Sequence, residues 1–275
     1  INNSFGGNSV FSGILVSGTS GVGKTRLKEA LACRIQKESP NVRVISIDVH
    51  DIVTNTGSGT SHEIISKHTS SDLCLPVVVL MDHLQIIAQD SAEAPSVYDS
   101  YEIKMAKTNI LQVLDKLAEL SNAIVIGFWT TASSSSTTLP SWIIRPQRFE
   151  HQVAMESPDP KQRFEILSHY LIMNQETPKQ EQYSDWICSF LVPNTTGCVA
   201  ADLYHLCTNA WTKALARYHC DRENDFGLIP DQEGDIRDSL MLQWSDVSEA
   251  AQNVIPSQWA GLDIIPPSTN RSEKS

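Results

Sequence analysis

Hydrophobic and polar positions alternate between two rhythms along the first half of the chain. The run "FSGILVS" at 11–17 is short, apolar and followed by glycines. Over 24–37, Leu27, Leu31 and Ile35 share one face with charges opposite, the period of an amphipathic helix. A strand-like run at 42–48 precedes a polar stretch rich in Gly, Ser and Thr at 54–61, and a short helix is expected at about 62–70. A strand at 76–81 comes next, then a long helix at about 98–121 with Ile103, Ile110, Leu114 and Leu117 on its buried face. A core strand at 123–129 leads into the loop "TASSSSTTLPS", and 151–155 is a weaker strand candidate. Strands alternating with helices predict an α/β fold in which a parallel sheet is covered on both faces.

After residue 156 the strand rhythm stops. A helix starting near Pro158 carries Phe164, Ile166, Leu167 and Leu171, and further helices are expected near 180–191, 200–219 and 244–254. An acidic, Gly-containing loop at 221–235 separates the last two. The expected organisation is an α/β subdomain over 1–155, a small all-helical subdomain over 156–256 and a linker-like tail over 257–275. There is no internal repeat.

Composition narrows the function. Among 275 residues, 41% hydrophobic and 19% charged content is that of an ordinary globular chain. The longest apolar runs fall far short of the ~20 residues that cross a bilayer, so direct membrane insertion is not expected. A net charge of −11 argues against a nucleic-acid partner, which needs a concentrated positive surface. Six cysteines without a C-x-x-C pair predict free thiols in a reducing compartment, here the cytoplasm, with any organelle attachment made through partners. The chain opens Ile1-Asn2-Asn3-Ser4, with no Met and no signal peptide, and reads as a piece of a longer protein.

The sharpest chemical signal is Gly18-Thr19-Ser20-Gly21-Val22-Gly23-Lys24-Thr25, which fits G-x-x-x-x-G-K-[ST] without mismatch, between an apolar strand and an amphipathic helix. Glycines let successive backbone N–H groups point inward at phosphate oxygens, and the positive helix end adds to that field. Lys24 reaches the β- and γ-phosphates, and the Thr25 hydroxyl can ligate Mg²⁺. The run "VVVLMDHLQII" at 77–87 delivers Asp82 from the end of a strand to the same Mg²⁺. ATP and Mg²⁺ are therefore the expected cofactors. No N-K-x-D element of guanine-specific GTPases is present.

Four further segments, in order, resemble AAA-family ATPases: "IIRPQRFE" at 143–150, "SPDPKQRFEIL" at 157–167, "TGCVAADLYHLC" at 196–207 and "VSEAAQNVIPSQWAGLDI" at 247–264. The resemblance runs from about Gly13 to Leu262. It is nearest to the first module of tandem-ring proteins of the valosin-containing-protein type, with the peroxisome-biogenesis ATPases nearby. It implies a five-stranded parallel sheet with a helical lid, hexamers with ATP at subunit interfaces, and work on protein substrates delivered by adaptors. It also implies that Arg145 and Arg148 act as arginine fingers on a neighbouring subunit's nucleotide, and that Gly197 and Ala201 lie near the adenosine.

Three positions depart from the family pattern. His83 stands where the family has a catalytic Glu directly after Asp82, and Thr130 stands where it has a sensor Asn. The stretch "TNTGSG" at 54–59 lacks the aromatic or aliphatic pore-loop residue before Gly. All three fall on parts that convert ATP into work, while the phosphate cradle is kept. The expected function is thus an ATP-binding module with weak or absent hydrolysis of its own. The alternatives are an active ATPase in which His83 or another residue activates water, and a nucleotide-gated oligomerisation scaffold. A lone phosphate-loop kinase or signalling NTPase leaves the two arginines and the lid segments without a role.

Overall fold

The computed structural model describes residues 12–54, 76–88, 100–119, 123–131, 143–145, 148–172, 180–224 and 241–259. Two compact units divide between Glu156 and Ser157.

The first unit is built on five parallel strands: β1 (Ser12–Thr19), β2 (Arg43–Asp48), β3 (Val77–Asp82), β4 (Ala123–Thr131) and β5 (His151–Met155). Their order is β2-β3-β4-β1-β5. With α1 (Lys24–Glu38), α2 (Val49–Thr54) and α3 (Ser100–Glu119), this is the expected α/β class. β3 shows why the sheet is buried on both faces. Val77, Val79 and Met81 point into a core with Ile110, Leu114 and Leu117 of α3. Val78 and Leu80 point to the other side, where Leu27, Leu31 and Ile35 of α1 close the layer. A strand buried on both faces reads as a continuous apolar run, and this one is buried at every position. Asp82 is the polar end of that run.

In the first unit two elements add to the expected set, and in the second a 3₁₀ turn, Ser257–Trp259, stands where a linker-like tail was expected. Helix α2 follows β2 directly and buries Val49, Ile52 and Val53. A 3₁₀ turn, Leu84–Ala88, follows β3 and buries Leu84 and Ile87. The short helix expected at 62–70, most of the polar stretch before it and the Ser-rich loop lie outside the described residues.

The second unit is helical: α4 (Pro160–Ile172), α5 (Gln180–Trp186), α6 (Ala200–Asn224) and α7 (Trp244–Gln252). From α5 the chain continues through a π-helical turn, Ile187–Leu191, into Val192–Asn194. Leu167, Leu171, Ile187, Leu203 and Leu206 form its core with Val247 and Ala250. Two buried acids organise its ends. Asp202 accepts the N–H of Val199 at 3.0 Å and that of Ser257 at 2.8 Å, fixing the start of α6 and the chain after α7 together. Asp246 accepts the Gln243 N–H in a capping box and pairs with Arg217 at 2.9 Å.

Candidate functional site

The site is assembled at the C-terminal ends of the strands, where an open parallel sheet places its ligands. β1 runs out through Gly18 and Thr19 into the glycine loop. Gly21 has φ of +81° and Gly23 of +108°, left-handed values that a residue with a side chain enters only under strain. Gly18 is crowded as well: a Cβ there would lie 2.6 Å from the Met155 carbonyl oxygen of β5. Gly23 then caps α1, and its carbonyl accepts the Leu27 N–H at 2.9 Å. Val22 is buried, whereas Ser20 and Thr25 are exposed at the loop.

Lys24 is buried to 7% exposure, and its ammonium donates to the carbonyls of Gly18 at 3.0 Å and Thr19 at 2.7 Å. Burial pushes its pKa below the ordinary lysine value, partly offset by the Asp82 charge. A desolvated cation beside a glycine loop at a helix N-terminus favours an anion.

Asp82 leaves the end of β3 with its side chain 5% exposed. One oxygen accepts the His83 N–H at 2.9 Å; the other is 2.7 Å from the Lys28 ammonium. Lys28 sits one turn after Lys24 on the same face of α1. Sequence reasoning did not find it, because the pairing spans 54 residues and depends on where α1 lies over the sheet. Its only sequence signal is a charged residue four positions after Lys24, on the helix face that carries Leu27 and Leu31.

His83 has φ of +59°, the left-handed region in a residue other than glycine. That conformation turns its carbonyl to accept the Ile86 N–H and starts the 3₁₀ turn. Its Nδ1 lies 3.0 Å and 3.2 Å from the two oxygens of Asp48. Because a carboxylate only accepts, Nδ1 carries the proton, and a neutral ring keeps Nε2 as an acceptor. Asp48, also missed, is the strand-register neighbour of Asp82. The two acids at the ends of β2 and β3 thus each hold a different cationic or proton-donating partner.

Thr130 is in register with Gly18, which puts it beside the loop, and its N–H donates to Gln85 Oε1 at 3.2 Å. Arg145 is exposed. Arg148 is held within its own unit, its guanidinium 3.2 Å from Asp115 of α3. Gly197 (φ +83°) and Ala201 belong to the second unit, in the turn before α6 and in its first turn. The pore-loop stretch after Thr54 lies outside the described residues.

Magnesium takes near-octahedral oxygen donors, one or two protein carboxylates together with substrate phosphates and waters. Thr25 offers a hydroxyl, but the Asp82 oxygen away from His83 already faces an ammonium. At an effective dielectric of about 20, unit charges about 4 Å apart interact by about 4 kcal/mol, and a dication doubles that repulsion. The pair Thr25 and Asp82, as arranged here, does not fit a resident magnesium ion. Among the described residues no group of three or more His, Cys, Asp or Glu is set to hold a metal.

A glycine loop wrapped between a parallel strand and the N-terminus of a helix, with an acid at the next strand end but one, defines a phosphate-loop nucleotide-binding protein. Comparison with protein-family models places it within that class. The model described as the ATPase family associated with various cellular activities (AAA) matches residues 14–157, over half of the chain, and the chain belongs to this family. Among curated relatives, proteasome-activating nucleotidase of Methanocaldococcus jannaschii is 26% identical over 74% of this chain and 44% of its own length. The cell division cycle protein 48 homolog of Archaeoglobus fulgidus is 24% identical over 89% of this chain and 30% of its own. Human peroxisomal ATPase PEX6 is 28% identical over 90% of this chain and 23% of its own. The chain thus spans less than half the length of each of these relatives.

Proposed function

We propose that this chain is the ATP-binding module of a ring-forming, protein-remodelling ATPase, and that it holds ATP at a subunit interface with little or no turnover of its own. The observation that carries this reading is the contrast within one site. The phosphate loop is complete and positively charged, while the position that follows the strand-end acid is an imidazole turned onto Asp48 at 3.0 Å. Orienting water for attack on phosphate calls for a group that draws the water's proton. A ring whose Nδ1–H is committed to Asp48 supplies one neutral nitrogen and no negative charge. Bound ATP still stabilises the folded module and any interface it completes, by mass action alone. In this reading Arg145 reaches a neighbouring subunit's nucleotide from its exposed loop, adaptors and protein substrates engage the assembled ring, and the work is done by a more complete module of the longer protein. The location is cytoplasmic.

One specific observation favours a second reading. An imidazole oriented by a carboxylate is also the arrangement of a general base, and Asp48–His83 has that form. The experiment is single-turnover ATP hydrolysis at oligomerising concentration beside an ATP-binding titration. Binding without turnover, abolished by Lys24→Ala, is the expected result. Turnover that survives purification, vanishes in Lys24→Ala and falls about a hundredfold or more in His83→Ala would overturn the holding role and establish the dyad.

A further inference from the structure

Asp82 and Lys28 form the tightest charge pair of the site, at the strand end expected to face a nucleotide's metal ion. The separation is 2.7 Å, with the two side chains 16% and 5% exposed for Lys28 and Asp82. Lys24, one helical turn earlier, also acts on Asp82. Lys28 is thus paired with Asp82, while the Lys24 ammonium bonds the Gly18 and Thr19 carbonyls and feels the Asp82 charge from there. The neighbouring carboxylate, Asp48, is engaged by His83. The polyphosphate of a nucleotide needs positive charge along its length, and the glycine-loop amides with Lys24 supply it at one side. On the other side a divalent cation held by a free acid would normally do so; here the acid is neutralised and the cation is part of the chain.

We propose that Lys28 is a built-in counter-cation of the nucleotide site, so that this module binds nucleoside triphosphate without needing a divalent metal. The inference rests on the nucleotide-holding role proposed above and adds to it how the phosphate charge is balanced. A lysine stem is flexible enough for the ammonium to bridge Asp82 and a phosphate oxygen at once, because an ammonium carries three donors. A site so balanced also disfavours hydrolysis, since the dication that polarises the transferring phosphoryl group in this class has no free carboxylate to hold it.

The test is titration of the 275-residue chain with a fluorescent ATP analogue in excess EDTA and in millimolar magnesium, with thermal melting to confirm folding. The wild-type affinity is expected to differ by less than about threefold between the two conditions. Lys28→Met, which keeps the stem and removes the charge, is expected to weaken binding about tenfold or more in EDTA, and magnesium restores most of the loss. Lys28→Arg retains metal-free binding, and Lys28→Gln replaces the Met variant if that one fails to fold. A wild-type affinity that collapses about thirtyfold or more in EDTA overturns the proposal, and that comparison requires no variant. Equal metal-free binding by wild type and Lys28→Met also overturns it. Failure to bind in both conditions overturns the nucleotide-holding role itself, which separates the two failures.

Discussion

Gly127 shows how tightly single residues fix the site. It lies in β4 three residues before Thr130, and a Cβ there would come 2.5 Å from Leu84 and 2.7 Å from the Phe149 ring. Those two side chains are fully buried, so they cannot swing clear. Gly127→Ala is expected to destabilise the first unit by about 1–3 kcal/mol through overpacking, read as a lower denaturation midpoint. The shape of the glycine loop was legible because its requirements are local: the positive φ of Gly21 and Gly23 and the turn of Lys24 onto Gly18 and Thr19 lie within a few residues. Asp82 was legible as the polar end of an apolar run. Lys28 and Asp48 were not, since each gains its meaning from a partner 54 or 35 residues away across the sheet. His83 was recognised as a departure, but its left-handed backbone and its turn toward Asp48 follow from strand order, which no single residue encodes.

At the level of elements, hydrophobic period found every described strand and long helix, because both faces of the sheet and one stripe of each helix must leave water. It missed α2 and the 3₁₀ turn, which span only six and five residues, too short for a period to show. It also gave no sign of the widened turn at Ile187–Leu191. Pro193, two residues beyond, has no N–H to return to the carbonyl four residues back, and the ladder changes its spacing just before it. The elements of the second unit are joined by buried charge as well as by leucines. Asp246 both caps α7 and holds Arg217 of α6. Asp246→Ala removes the cap and strands a partly buried guanidinium, with an expected loss of about 2–4 kcal/mol from the second unit. Asp246→Asn, which can keep the cap, loses less. Urea denaturation of the two variants in parallel distinguishes the cap from the ion pair.

Across the whole molecule, the two units carry different sensitivities. Cys33 of the first unit and Cys188 and Cys220 of the second are exposed, whereas Cys198 and Cys207 are buried in the helical core. Burial pushes the Cys198 thiol up to about 11, with the Asp202 charge adding to it, and Cys207 up to about 12. Tyr183, in the same core, is raised by burial too. Each of these acids is neutral when folded and ionises more readily when unfolded, so the stability they contribute is whole below pH about 9 and declines as pH rises toward 11 and 12. Melting of the second unit's transition is expected to hold between pH 7 and 8.5 and to fall above pH 9.5. At pH 8, among the cysteines of the described residues, iodoacetamide labels Cys33, Cys188 and Cys220 and spares Cys198 and Cys207 until that transition. The interior position of β3 has a consequence of another kind, in time. It is hydrogen-bonded to β2 and β4 and buried on both faces, while β5 pairs only with β1 and is largely exposed. In deuterated water the amides of β3 exchange only when the whole unit opens, and those of β5 exchange through smaller fluctuations. The acid of the site is therefore mounted on one of the most protected strands of the first unit. Asp82 is expected to keep its place through partial openings, and the change in exchange on nucleotide binding is expected first in the loop and α1.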